Sequence, residues 1–76
     1  MTVRVKLFGS LKQYLPSGTQ GRQAALEVPT GGGVRDVMRL IGVPDEAATV
    51  ILVNGEHVEA DAGVKEGDTV SVFPPI

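Results

Sequence analysis

His57 is the single histidine of the chain, and an imidazole does chemistry in company. It needs further ligands to hold a metal, or a serine or cysteine to activate as a nucleophile. Neither lies near it in sequence, and it follows Asn54-Gly55 directly, so it reads as a solvated residue just beyond a turn. Ser10, Ser17 and Ser71 read as a helix cap, a turn residue and an outward strand position, and none stands in a nucleophile-elbow sequence. The 76 residues contain no cysteine. Thiol catalysis, thiolate zinc sites, iron–sulfur ligation and disulfides are thereby excluded, and a reducing cytoplasm is the expected compartment.

Two clusters could bind ions. Glu56, Glu59, Asp61, Glu66 and Asp68 supply the carboxylates a hard cation wants, but their spacing does not follow the ~12-residue calcium loop, so they read as a solvated acidic surface. Gly31-Gly32-Gly33 precedes an apolar periodic segment, as a phosphate cradle would. It lacks both the Lys-Ser/Thr ending of a P-loop and the G-x-G-x-x-G spacing, and reads as a flexible strand-to-helix connection. No metal and no cofactor are expected, and with so poor a set of acids, bases and nucleophiles the chain is not expected to be an enzyme.

Formal net charge is −2, unevenly placed. Residues 1–26 carry Arg4, Lys6, Lys12 and Arg22 without an acid, whereas the acids all fall from Glu27 onward. Four basic residues over two elements are a thin version of the basic, aromatic-studded face that binds nucleic acid, so no nucleic-acid partner is expected. The opening residues alternate where a signal peptide would show a charged stretch and then an apolar one. No apolar run approaches the ~20 residues of a membrane helix. The expectation is one soluble cytoplasmic domain over residues 1–76.

The carboxyl end is more informative. Phe73 is followed by Pro74, Pro75 and Ile76, and paired prolines favour an extended conformation rising about 3.1 Å per residue. Residues 74–76 are therefore expected to project as a stiff tail, with Phe8 and Phe73 forming an aromatic, partner-binding patch beside it.

The elements that position this patch follow from periodicity. Val3, Val5 and Leu7 alternate with Arg4, Lys6 and Phe8, the pattern of a half-buried strand. Leu11, Tyr14 and Leu15 give about one helical turn, with Ser10 as its cap. Ala24, Leu26 and Val28 form a second strand closed by Pro29. Val34, Val37, Met38 and Ile41 recur at helical spacing, and Gly42 and Pro44 stop that helix. Val50 to Val53 is a strand apolar on both faces, and Asn54-Gly55 turns it into the return arm Glu56-His57-Val58. Val70 and Val72 alternate with Thr69, Ser71 and Phe73 in a last strand. One helix covers one face of such a sheet, packing on Val3, Val5, Leu7, Leu26, Val70 and Val72 and leaving the other face open, with Phe8 and Phe73 on it.

In order and spacing, Val3-Arg4-Val5-Lys6-Leu7-Phe8-Gly9, the helix after Thr30, Val53-Asn54-Gly55, Gly67-Asp68-Thr69-Val70 and Phe73-Pro74-Pro75 resemble a family. It is that of the molybdopterin-synthase small subunits and thiamine-synthesis sulfur carriers (MoaD/ThiS). The resemblance implies an α+β, β-grasp (ubiquitin-like) fold: a mixed four- to five-stranded sheet with one main helix on one face, and the last strand central beside the first. It also implies two partners, an ATP-dependent activating enzyme (an adenylyltransferase) and a synthase large subunit. In such carriers the tail ends in Gly-Gly, is adenylated, becomes a thiocarboxylate and enters the synthase. Docking residues correspond to Phe8, Phe73, Pro74 and Pro75. Here the sequence reaches Ile76 without Gly-Gly. Either a carrier tail is missing from this form of the chain, or the protein is a carrier-like interaction or regulatory subunit that docks through the Phe8/Phe73 face without carrying sulfur.

Overall fold

Alternation in the opening residues has the consequence strand geometry demands: β1 (Thr2–Leu7) buries Val3, Val5 and Leu7 completely and turns Thr2, Arg4 and Lys6 to the other face. This is a computed structural model that describes residues 1–16, 21, 23–44 and 50–75. β1 is followed by a 3₁₀ helix, Gly9–Tyr14, whose Leu11 enters the core. Next come β2 (Gln23–Glu27), α1 (Val34–Ile41), β3 (Val50–Val53), the two-residue β4 (Glu56–His57) and β5 (Thr69–Phe73).

The five strands form one sheet in the order β2-β1-β5-β3-β4. β1 pairs antiparallel with β2 and parallel with β5, while β3 pairs antiparallel with both β4 and β5. The last strand is thus central and beside the first, which with one helix on one face is the β-grasp, ubiquitin-like architecture expected from the sequence.

α1 places Val34, Val37, Met38 and Ile41 against Val3, Val5, Leu7, Val70 and Val72 in one apolar cluster. Leu11 of the 3₁₀ helix, with Val28, Val43 and Val64 from connections, completes it. Leu26 is only half-buried, because β2 is an edge strand and one flank of its side chain has no sheet beyond it. The helix stops where Gly42 takes a left-handed φ of 92° and its N–H caps the Met38 carbonyl, a conformation glycine adopts without steric cost.

Two expectations are corrected. Ser10 does not cap the first helical turn: that turn begins at Gly9, Phe8 holds the cap position, and no side chain bonds there. The connection before α1 is close-packed and not slack. Gly33 forms an antiparallel bridge with Gly63, sealed by Val34 N–H to the Ala62 carbonyl at 2.9 Å and Val64 N–H to the Gly32 carbonyl at 3.3 Å. A Cβ at Gly33 would lie 2.6 Å from the Ala62 oxygen, and one at Gly32 would lie 2.9 Å from the Pro29 oxygen.

Candidate docking interface

On the open face, cross-strand register decides which side chains become neighbours. Val50 pairs with Phe73 and Leu52 with Ser71, so β3 sends Val50 and Leu52 to the same side as Phe73. Phe8 follows β1 on that side, its N–H bonded to the Val72 carbonyl at 3.2 Å. The Phe8 and Phe73 rings stack with centroids 4.3 Å apart and planes 10° from parallel. Phe8, Phe73, Val50 and Leu52 are each half-buried, and none of them is packed against the core cluster. The face has an apolar centre that water touches. Val50 and Leu52 escaped the sequence reading as members of it, although the unbroken apolar run of β3 was the available signal.

Charge frames this centre. Arg4 and Lys6 project from β1 on the same face, and neither forms an ion pair with a described residue. His57, opposite Leu52 across the β3–β4 pair, is exposed at the other side.

Behind Phe73 the chain leaves the sheet over Gly9. Gly9 has a φ of +56°, and a Cβ there would lie 2.9 Å from Cγ of Pro74. Pro74 is half-buried against this glycine and Pro75 is exposed. Ile76 lies outside the described residues, as do Ser17, Arg22, Asp45 and Glu46.

The motifs Asn54-Gly55 and Gly67-Asp68-Thr69 prove to be two halves of one clasp. Asn54 and Gly55 both have positive φ, 52° and 85°, the type I′ turn that fits strand twist. Asn54 Nδ2 donates to Asp68 Oδ1 at 2.9 Å, Thr69 N–H donates to Asn54 Oδ1 at 3.0 Å, and Lys65 N–H donates to Asp68 Oδ2 at 2.8 Å. These donors hold the Asp68 carboxyl below its ordinary value, Asn54 contributing most. Glu66, a second member of the acidic cluster, accepts from Thr2 N–H at 2.9 Å. Among the described residues, no three His, Asp or Glu side chains converge on a metal-sized site.

The glycine run lines a hollow of about 230 Å³ with Arg35, Asp36 and Asp61. Three successive amides here are already used: Gly32 N–H bonds the Pro29 carbonyl, Gly33 N–H bonds Asp36 Oδ2, and Val34 N–H bonds the Ala62 carbonyl. Chiefly through Gly33, and also through Arg39 at 2.7 Å, the Asp36 carboxyl is held below its ordinary value. An anion would meet a carboxylate there and find these donors taken.

A family model described as Mut7-C ubiquitin matches residues 1–76. The chain belongs to the Mut7-C ubiquitin family. No curated protein matches this ubiquitin-like chain. Among solved structures, a candidate molybdopterin converting factor subunit 1 from Pyrococcus furiosus is 34% identical, with 99% of this chain and 98% of that chain covered and a TM-score of 0.74. The resemblance to the molybdopterin-synthase small subunits, read from the sequence, is thereby borne out. SAMP1 from Haloferax volcanii is 22% identical over 100% and 97% of the two chains, with a TM-score of 0.77. A Helicobacter pylori complex of subunits 1 and 2 of molybdopterin-converting factor contains a chain 17% identical over 100% and 96%, with a TM-score of 0.66. These last two show the fold. Among the described residues, no helix is long and apolar enough to cross a membrane.

Proposed function

We propose that this ubiquitin-like domain is a docking protein of the sulfur-carrier type, without catalytic residues of its own, that presents its open face and carboxyl end to larger cytoplasmic partners. The observation that carries the reading is the Phe8–Phe73 stack at the point where the chain leaves the central strand. Stacked rings with Val50 and Leu52 beside them form a rigid apolar anchor, the kind of feature that dominates protein interfaces. Arg4 and Lys6 on one flank favour a partner whose rim carries carboxylates, which speeds and orients encounter.

By family resemblance the partners are an ATP-dependent activating enzyme and a synthase large subunit. Pro74 and Pro75 form the stiff base of an arm that a synthase channel would receive. Glycine is needed at the arm's end, because a pair without side chains threads a narrow channel and adopts backbone angles closed to other residues. A tail that carries sulfur in this way would therefore have to end in Gly-Gly.

The test has two arms. Gly-Gly is added after Ile76, and the protein is incubated with the activating enzyme, ATP and a sulfur donor. The carrier reading expects a mass gain equal to oxygen-to-sulfur exchange, and its absence removes that reading. Separately, binding of the unmodified chain to the synthase large subunit is measured for wild type and Phe73→Ala. Docking through the stack expects at least about a thirtyfold loss, the effect of an interface hot spot. Unchanged affinity with an intact fold removes the face from consideration.

A further inference from the structure

The sheet has two edges of different character. β4 is only two residues long, but β2 offers five residues with no proline, no bulge and small side chains at Ala24 and Ala25. Natural sheets blunt long edges because exposed N–H and C=O groups pair with whatever strand arrives.

Which groups of β2 face outward follows from one bonded pair. Val28 N–H donates to the Met1 carbonyl at 2.7 Å, and the Met1 ammonium donates to the Val28 carbonyl at 2.8 Å. Bonded and non-bonded pairs alternate along an antiparallel ladder. With Val3 opposite Leu26 and Val5 opposite Ala24, Leu26 and Ala24 turn their backbone groups to β1. Gln23, Ala25 and Glu27 therefore turn theirs outward, and all three residues are exposed.

We propose that β2 is the seam of a homodimer, in which two copies pair β2 with β2 antiparallel about a two-fold axis at Ala25. This register is self-complementary on both faces. Ala25 meets its own copy, and each Gln23 meets the other copy's Glu27, so every outward N–H and C=O of the strand finds a partner. On the core side, each half-buried Leu26 lies opposite an Ala24, a large residue against a small one. On the open side, Lys6 is the neighbour of Gln23 across the β1–β2 pair, so its ammonium reaches across Gln23 toward the other copy's Glu27. Moving the axis one pairing step toward Pro29 brings a residue without an N–H into the seam, and a further step sets Glu27 against Glu27. The two Arg4 side chains are separated by both Ala25 residues, about three strand spacings of 4.8 Å, beyond the Debye length at physiological salt. An edge-on seam leaves the Phe8–Phe73 face uncovered, so dimer formation and partner docking are independent.

The test is sedimentation of the intact chain as a function of concentration, together with amide hydrogen exchange. The expected result is a dimer populated below about 1 mM, with Ala25 and Glu27 amides exchanging more slowly as concentration rises and Ala24 and Leu26 unchanged. Ala25→Pro removes only an outward N–H, and edge strands tolerate proline at such a position; it should fold and lose the dimer. Lys6→Glu and Glu27→Lys should each weaken association about tenfold, and the double exchange should restore it. The double exchange decides the matter if the proline variant fails to fold. A chain monomeric to about 1 mM, a dimer whose Ala25 exchange ignores concentration, or a double exchange that restores nothing overturns the proposal.

Discussion

Gly33→Ala isolates the claim that the glycine run is there for space. The backbone at Gly33, with φ −141° and ψ −169°, is open to any residue, so alanine adds no backbone strain. What it adds is a methyl 2.6 Å from the Ala62 oxygen and 3.5 Å from Cα of Gly63. Forcing a carbon into a packed contact costs about 1–3 kcal/mol. The neighbour is backbone held by the Val34 N–H bond at 2.9 Å, so it yields only by giving up that bond. A domain of this size holds roughly 4–11 kcal/mol in all, and each kcal/mol lowers the melting temperature by about 4–8 °C. Gly63→Ala is the matched control: it lies across the same bridge, but a Cβ there meets nothing within 4 Å. Urea unfolding followed by circular dichroism should show a lower midpoint at constant m-value for Gly33→Ala and no loss for Gly63→Ala. Equal stability of the two variants, or a loss at Gly63 as large as at Gly33, would refute the steric argument.

Asn54→Ala and Asp68→Ala should each destabilise the fold, and the double variant should lose less than their sum, leaving a coupling of about 1 kcal/mol in a denaturation cycle. Asp36 and Asp68 have carboxyls lowered in the folded state from an ordinary 3.8, so their contribution is complete above that value and is lost as pH falls through the lowered folded ones. Asp36→Asn with Asp68→Asn should flatten the pH dependence of the melting temperature in that acid window. Leu7→Ala, at a fully buried position, should cost about 2–5 kcal/mol in a urea-unfolding measurement, a large share of the whole stability.

Sequence periodicity exposed most of the frame. Val3, Val5 and Leu7, the helical spacing of Val34, Val37, Met38 and Ile41, and the Asn54-Gly55 turn each obey a local rule that tertiary structure did not override. Phe8 and Phe73 became neighbours through the alternation of β1 and β5 and the parallel pairing of those strands. What escaped was set by contacts between distant segments. Nothing local to Gly31-Gly32-Gly33 says that residues 62–64 will press against it. Nothing around Asp68 says that its carboxylate will meet Asn54. Val43 and Val64 come from connections, where no periodicity marks the inner side. Val50 and Leu52 were legible as apolar but not as members of the open face, because a run without alternation does not reveal which half faces the helix.

The parallel pairing of β1 with β5 also bears on how the molecule comes into being. Residue 4 waits for residue 69, so during synthesis the β1–β2 and β3–β4 hairpins emerge first with no strand to join them. Such non-local closure is slow relative to hairpin formation. The middle of the sheet closes only once Phe73 has cleared the ribosome, and until then each hairpin shows water a flank meant for its neighbour. Shortening the chain by its last eight residues would therefore leave two unconnected halves and no smaller version of the fold.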